Sequence, residues 1–212
     1  MAHSDRVTAI TRHAAPLAAD LGLTVWGAEI VGAHRPVVRL FVEALPDDPA
    51  RRRLAEPAER AELAEPADSH GAGVDIEQCA ELSRRLSLAL EADDLFSGAW
   101  TLEVSSPGFE RPFFQAAQLP PYMGREIELA LAAPLADWPG RKNFRGSLCA
   151  VTGDQIRLRL DAARRRPDEP ELADVPWNCV RKAHLVHIFA DPEKPGKKKP
   201  RTCQCPGGRH EP

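Results

Sequence analysis

The stretch that decides the fold is the run Ser105-Ser-Pro-Gly-Phe-Glu-Arg-Pro112 and the residues just before it. Residues 100–105, Trp-Thr-Leu-Glu-Val-Ser, alternate in polarity, which predicts a β-strand. Pro107 and Gly108 then enforce a turn, and Pro112 stiffens the exit from it. The run therefore predicts the point where the chain crosses from one structural unit to another.

Arg111 is the residue of this run that could carry a function. Its guanidinium has five donors and could clamp a carboxylate or a phosphate, or it could form a structural ion pair at the crossing. The hydroxyls of Ser105 and Ser106 could bond the turn amides. The residues leave these interpretations of Arg111 open.

Upstream of the run, the pattern predicts helix, strand, strand, helix and strand, a small α+β layer within residues 1–112. The first helix spans Ser4 to Leu21, and Pro16 should kink or interrupt it. The next two strands, 24–30 and 37–43, are joined by a short connector, which predicts an antiparallel hairpin. Asp75 and Gln78 have the spacing of a capping box and start the second helix. Its predicted apolar face is Ile76, Cys79, Leu82, Leu86 and Leu90.

The segment 47–72 interrupts this layer. It is acidic and rich in proline, and Leu-Ala-Glu-Pro-Ala occurs in it twice. We interpret it as a low-complexity insertion at the hairpin tip, disordered or partly helical.

Downstream of the run, residues 113–190 have an all-β texture. Strands are predicted at 126–131, 143–151 and 155–160, with Gly146 marking a bend or bulge, and two more between 174 and 188. Five short strands predict a small five-stranded β-barrel. Residues 191–212 are basic and proline-rich and predict a disordered tail.

Composition bounds the class of protein. The chain has 212 residues, 43% of them hydrophobic, and a formal charge of −3. It has no apolar run of the roughly 18 residues that a membrane helix needs, and no signal-peptide core. The five scattered cysteines do not form a disulfide framework, so we expect a cytoplasmic protein with reduced thiols.

No catalytic motif is present. A phosphate loop, a zinc-protease helix, a nucleophile elbow and a dinucleotide fingerprint are all missing, so neither an enzyme nor a cofactor is expected. A hydrolase built on Ser105 and Ser106 would lack a histidine at a recognisable spacing. Whether the tail residues Cys203, Cys205 and His210 hold a metal stays open, since structural zinc needs four ligands.

Basic residues on the predicted barrel strands could bind RNA phosphates. Only Phe144 lies among them as a stacking aromatic, and a solvated basic edge explains them equally well. These residues are Arg125, Lys142, Arg145, Arg157, Arg159, Arg181 and Lys182.

Several ordered motifs together resemble the bacterial ribosome maturation factor RimP family. The Phe109-Glu110 pair replaces the usual Leu-Asp of that family, and the 47–72 insertion is longer than its hairpin turn. The motifs are Leu21–Ile30, Val38–Val42, Gly73–Ser83, Leu102–Pro112, Phe144–Gly146 and Arg181–Leu185.

The resemblance implies an N-terminal α/β domain followed by a C-terminal Sm-like barrel. It also implies a non-catalytic, monomeric factor that binds the free small ribosomal subunit, through ribosomal RNA and the ribosomal protein of the decoding centre. The expected contact residues are Arg111, Arg125, Lys142, Arg145 and Lys182. The expected hinge is Ser105, Ser106, Pro107, Gly108, Glu110 and Pro112.

A second function class stays open from the sequence. A general Sm-like module acting on small or messenger RNA would share the barrel and the basic strands. It would need ring assembly and more stacking aromatics than these strands offer.

Overall fold

The structure is a computed structural model that describes residues 3–32, 34–45, 73–166 and 169–187. The predicted insertion at 47–72 and the predicted tail at 191–212, with its cysteines, lie outside the described residues. In chain order the helices and strands are α1 (His3–Asp20), β1 (Leu23–Val31), β2 (Val37–Ala44), α2 (Ile76–Ala92), β3 (Thr101–Ser105), β4 (Pro112–Phe113), β5 (Glu126–Leu131), β6 (Asn143–Thr152), β7 (Gln155–Leu160), β8 (Leu172–Pro176) and β9 (Val180–Leu185).

The N-terminal unit, residues 3–105 as described, is a three-stranded sheet covered by two helices. β1 and β2 form the expected antiparallel hairpin, and β3 lies parallel to β2 on its other side. Every second residue of the central strand β2 is buried, because one face of the sheet meets the helices. The shared core includes Ile10, Ala14, Val38, Leu40, Val42, Leu82, Leu86 and Leu90.

The helix ends follow the predicted signals with two corrections. The Asp75 carboxylate accepts from the Glu77 amide at 3.2 Å, and the Gln78 side chain accepts from the Asp75 amide at 2.9 Å, so the capping box is confirmed. Ile76, however, is 78% exposed, and the buried stripe begins later in α2. α1 also runs unbroken through Pro16, although an interruption was predicted there.

The C-terminal unit, residues 112–187 as described, is a single antiparallel sheet around a second core. Its strand order is β4-β9-β5-β6-β7-β8, so six strands replace the predicted five. The sixth is β4, in which Pro112 pairs with His184 and Phe113 with Ala183. Proline tolerates this edge position because it has no amide to donate. Between described residues no pairing joins β4 to β8, so the sheet is not closed into the expected barrel.

The inner face of this sheet follows strict alternation. β5 and β7 bury every second residue, which leaves Arg157 and Arg159 on the outer face. The bend or bulge was predicted at the wrong residue. The register of β6 against β7 shifts between Leu148 and Ala150, and not at Gly146. Gly146 serves a close approach instead, because a Cβ there would stand 2.1 Å from the Arg159 carbonyl oxygen.

Candidate functional site

The run 105–112 connects the two sheets. Ser105 ends β3, Pro107 is buried, and Gly108 adopts a φ of +69°, which favours glycine. Phe109 is 59% exposed and its ring centroid lies 5.0 Å from that of His187. The predicted change of direction is therefore confirmed in this run.

Arg111 lies in the interior between the two units. Its side chain is only 3% exposed and forms an ion pair with Glu43 of β2. The guanidinium carbon lies 4.5 Å from the ring centroid of Trp26 and 5.8 Å from that of Tyr122. Of the two interpretations of Arg111, this geometry favours the structural ion pair, because an RNA phosphate would have to displace packed aromatic rings to reach it.

Further contacts surround this ion pair. The Trp26 indole donates to the Pro112 carbonyl oxygen at 2.6 Å, and the Gln118 amide donates to the Trp26 carbonyl oxygen at 2.7 Å. Phe114 packs against Phe41, with ring centroids 5.7 Å apart. We call this set the joint: Trp26, Gly27, Phe41, Glu43, Arg111, Phe114, Gln118 and Tyr122.

Gly27 shows how closely the joint is packed. A Cβ at this position would stand 2.0 Å from Cδ2 of Phe114, well inside contact distance. The absence of a side chain at Gly27 is thus what lets the two units meet. The predicted hinge stays a prediction, and the packed contacts of the joint lie directly beside it. The hinge residues are Ser105, Ser106, Pro107, Gly108, Glu110 and Pro112.

Tyr122 reports the electrostatics of the joint. Burial raises the pKa of its phenol, because the ionised form loses hydration. The nearby Arg111 cation opposes this shift, and the Glu43 carboxylate adds to it. The joint therefore holds one charge pair against aromatic rings, with Arg111 buried and the Glu43 side chain 24% exposed.

The predicted basic strand residues divide into paired and unpaired cations. Arg145 donates to Glu126 at 2.5 Å, and this hydrogen bond raises the pKa of the guanidinium. Arg157 and Arg159 pair with Asp174 and Glu171, so their charge is largely compensated. Their contacts are 2.7 Å and 3.2 Å.

Lys142 and Lys182 differ from these arginines. Both are exposed, and neither has an ion pair with a described residue. Ala130 of β5 pairs with Asn143 on one side and Lys182 on the other, which brings both lysines to the same end of β5. Arg125 is half-buried just before β5, where its carbonyl oxygen accepts from the Leu148 amide at 2.9 Å.

A concave surface of about 510 Å³ opens between two loops of the C-terminal unit. The loops join β5 to β6 and β7 to β8. Four arginines and one lysine line it against two glutamates, a net charge of +3. We call this the basic concavity: Glu128, Gly140, Arg141, Lys142, Asn143, Arg145, Arg164, Arg166 and Glu169.

Sequence reasoning placed Lys142 and Arg145 on the basic surface but missed Arg141, Arg164 and Arg166. The consecutive arginines at 164–166, which follow the strand predicted at 155–160, were the available signal. The structure does not bring Arg111 to this surface: Arg111 lies in the joint.

Comparison with known proteins identifies the family. Residues 13–110 match the RimP N-terminal domain. A ribosome maturation factor RimP from Nitratidesulfovibrio vulgaris is 46% identical over 199 residues, covering 90% of this chain and 84% of that protein. The chain belongs to the RimP family. Similar RimP proteins come from Lawsonia intracellularis, 39% identical over 89% of this chain and 90% of that protein, and Desulfovibrio desulfuricans, 38% identical over 89% and 82%.

The alignments with RimP relatives cover both units of this chain. The match to the RimP N-terminal domain ends at residue 110, immediately before Arg111 of the joint. The alignment with whole relatives covers 90% of the chain, far more than either unit.

The described part of the chain lacks a metal-binding cluster and a membrane-spanning helix. No group of three His, Cys, Asp or Glu residues there could hold a metal ion. None of the helices there is long and apolar enough to cross a membrane.

Proposed function

We propose that this RimP-family protein is a non-catalytic assembly factor for the small ribosomal subunit. It binds the free subunit through ribosomal RNA and a ribosomal protein, as a cytoplasmic monomer. The observation that carries the proposal is the 46% identity to a ribosome maturation factor over 90% of the chain. Because that similarity covers both units and the joint, it supports a shared function rather than one shared domain.

The proposed mechanism is a shift of population. A factor that binds one conformation of a maturing subunit more tightly raises the population of that conformation without any covalent step. The contacts of the joint support this mechanism, since they hold the two units in one arrangement and so favour a matching arrangement of the subunit.

We also propose that the C-terminal unit is an Sm-like fold that gained an edge strand. Without β4, the strand order is β9-β5-β6-β7-β8, in which the last of five strands returns beside the first. This order supports the proposal, and β4 then serves the joint, because it begins at Pro112 directly after Arg111.

Sedimentation with separated ribosomal subunits tests the function. We expect the purified protein to migrate with the free small subunit and not with the large subunit or the joined ribosome. Migration with none of them, together with tight binding of short RNAs and a ring-sized mass in solution, would replace the proposal by the general Sm-like RNA module.

A further inference from the structure

The floor of the basic concavity is a nearly buried ion pair that ties its two loops together. Arg141 contacts Glu169 at 2.5 Å, with side chains 12% and 11% exposed. The same Glu169 carboxylate accepts from the Arg166 amide at 3.0 Å. The ion pair at the floor is therefore neutral, and the Glu169 carboxylate already has two partners.

The rim of the concavity carries charge that the floor does not neutralise. Lys142 and Arg164 form no ion pair with any described residue, and the Arg166 side chain is 64% exposed and 3.9 Å from Glu169. These three cations line one concavity, in which Glu128 is the lining carboxylate outside the floor pair, so their like charges are only partly balanced. The rim is thus organised for a ligand with more than one negative charge.

We propose that the basic concavity binds the phosphate backbone of ribosomal RNA, an inference that rests on the proposed function. Phosphodiesters place one charge on every nucleotide, which matches three cations on one short rim. The guanidinium groups of Arg164 and Arg166 present forked donors suited to phosphate oxygens.

The aromatic residues near the concavity indicate which part of the RNA is bound. The Arg141 guanidinium carbon lies 5.1 Å from the Phe144 ring centroid and 5.6 Å from that of Trp138. Both rings are buried, so neither offers a face on which a base could stack. The site therefore contacts phosphates without reading bases, and it positions the protein independently of sequence.

A matched pair of triple variants tests the site. Lys142→Ala/Arg164→Ala/Arg166→Ala removes the rim. Arg12→Ala/Arg84→Ala/Arg85→Ala removes the same charge from the exposed helix surface of the N-terminal unit. Affinity for the free small subunit is measured for both variants and for the unaltered chain across roughly 50–200 mM salt.

We expect the rim variant to lose about 10- to 100-fold in affinity at the upper salt concentrations and to lower the slope of log affinity against log salt by about 2. The control should change affinity by less than about threefold, since long-range charge is screened. Equal effects of the two triple variants would overturn the site.

A further titration distinguishes a failure of the proposed site from a failure of the proposed function. A short single-stranded RNA replaces the subunit in the same titration. If the unaltered chain fails to bind the subunit while RNA binding depends on the rim, the function falls and the site stands. If the unaltered chain binds the subunit, and the rim variant binds both the subunit and the RNA as tightly as the unaltered chain does, the site falls and the function stands.

Cross-linking identifies the bound class. A photoreactive benzoylphenylalanine at the exposed position Ala163, next to Arg164, should cross-link to ribosomal RNA in the complex. Cross-links confined to a ribosomal protein would overturn the inference in favour of an acidic protein segment. Saturable calorimetric binding of inorganic phosphate to the rim, with unchanged subunit affinity in the rim variant, would overturn it in favour of a free anion.

Discussion

Arg111 and Arg164 are the same side chain in two opposite environments. Arg111 is buried in the joint against Trp26, with Glu43 as its ion-pair partner. Arg164 is exposed on the rim of the basic concavity, with no ion pair to a described residue. A buried cation whose partner is on another unit holds the fold, whereas an exposed and uncompensated one is available to a ligand.

Removing Arg111 should give the largest effect on stability. We expect Arg111→Met to lower the free energy of unfolding by about 2–4 kcal/mol, because it leaves the partly buried Glu43 carboxylate without a partner. Urea denaturation measures this. Adding Glu43→Gln should recover part of the loss, and a double variant no more stable than Arg111→Met would contradict the ion pair.

Overfilling the joint at Gly27 should cost less. The Cβ of Gly27→Ala must displace the Phe114 ring, at a cost of about 1–3 kcal/mol in the same denaturation experiment. Gly98→Ala is the control, since no atom of the described residues lies within 4 Å of a Cβ placed there. The Phe114→Ala background should relieve the clash, so simple additivity of the two changes would refute the close approach.

Tyr122 allows the joint to be titrated directly, because the chain has one tyrosine. Phenolate absorbance should show a higher midpoint in the folded protein than in urea, since burial raises the pKa of this phenol. Glu43→Gln should lower the midpoint. As pH rises above about 10, the unfolded state releases its proton first, so stability should fall.

An identical midpoint in folded and unfolded protein would show that water reaches the phenol. The loss of stability at high pH should be smaller in Tyr122→Phe, which keeps the ring and removes the phenol. The Cys79 thiol, whose pKa is also raised by burial, should account for part of the remaining loss.

The smallest effect is expected at the rim. Lys142→Ala/Arg164→Ala/Arg166→Ala should change the free energy of unfolding by less than about 0.5 kcal/mol per substitution. Lys142 and Arg164 pair with no described residue, and the ion pair of Arg166 with Glu169 is long and involves a 64% exposed side chain. If the rim variant lost as much free energy of unfolding as Arg111→Met, the rim and the joint would not differ in their contribution to stability.

Local patterns predicted most of the helices and strands. The capping box at Asp75 and the alternation in β5 and β7 were sufficient, because each depends on residues close in the chain. The interruption predicted at Pro16 was wrong. Proline removes one backbone amide hydrogen, but α1 still buries Ile10, Ala14 and Ala18 in the core, and this burial outweighs the loss. The two-residue strand at Pro112 is too short to produce a pattern.

The site was less predictable because its properties depend on distant partners. The burial of Arg111 is set by Glu43 and Trp26, dozens of residues away in the chain. The basic concavity forms only where two loops meet, so Arg141, Arg164 and Arg166 could not be grouped from spacing. Paired and unpaired cations also look alike in a sequence, which is why Arg145 and Lys142 were both expected to contact the subunit.

The close approach at Gly27 has a consequence for avidity. If both units contact the subunit under the proposed function, the first contact holds the second at a high effective concentration, and the loss of rotational freedom is not incurred again. A single methyl group at Gly27 could therefore weaken attachment to a large particle without altering any residue that touches it. Attachment would then fall while the intrinsic affinity of each surface stayed the same.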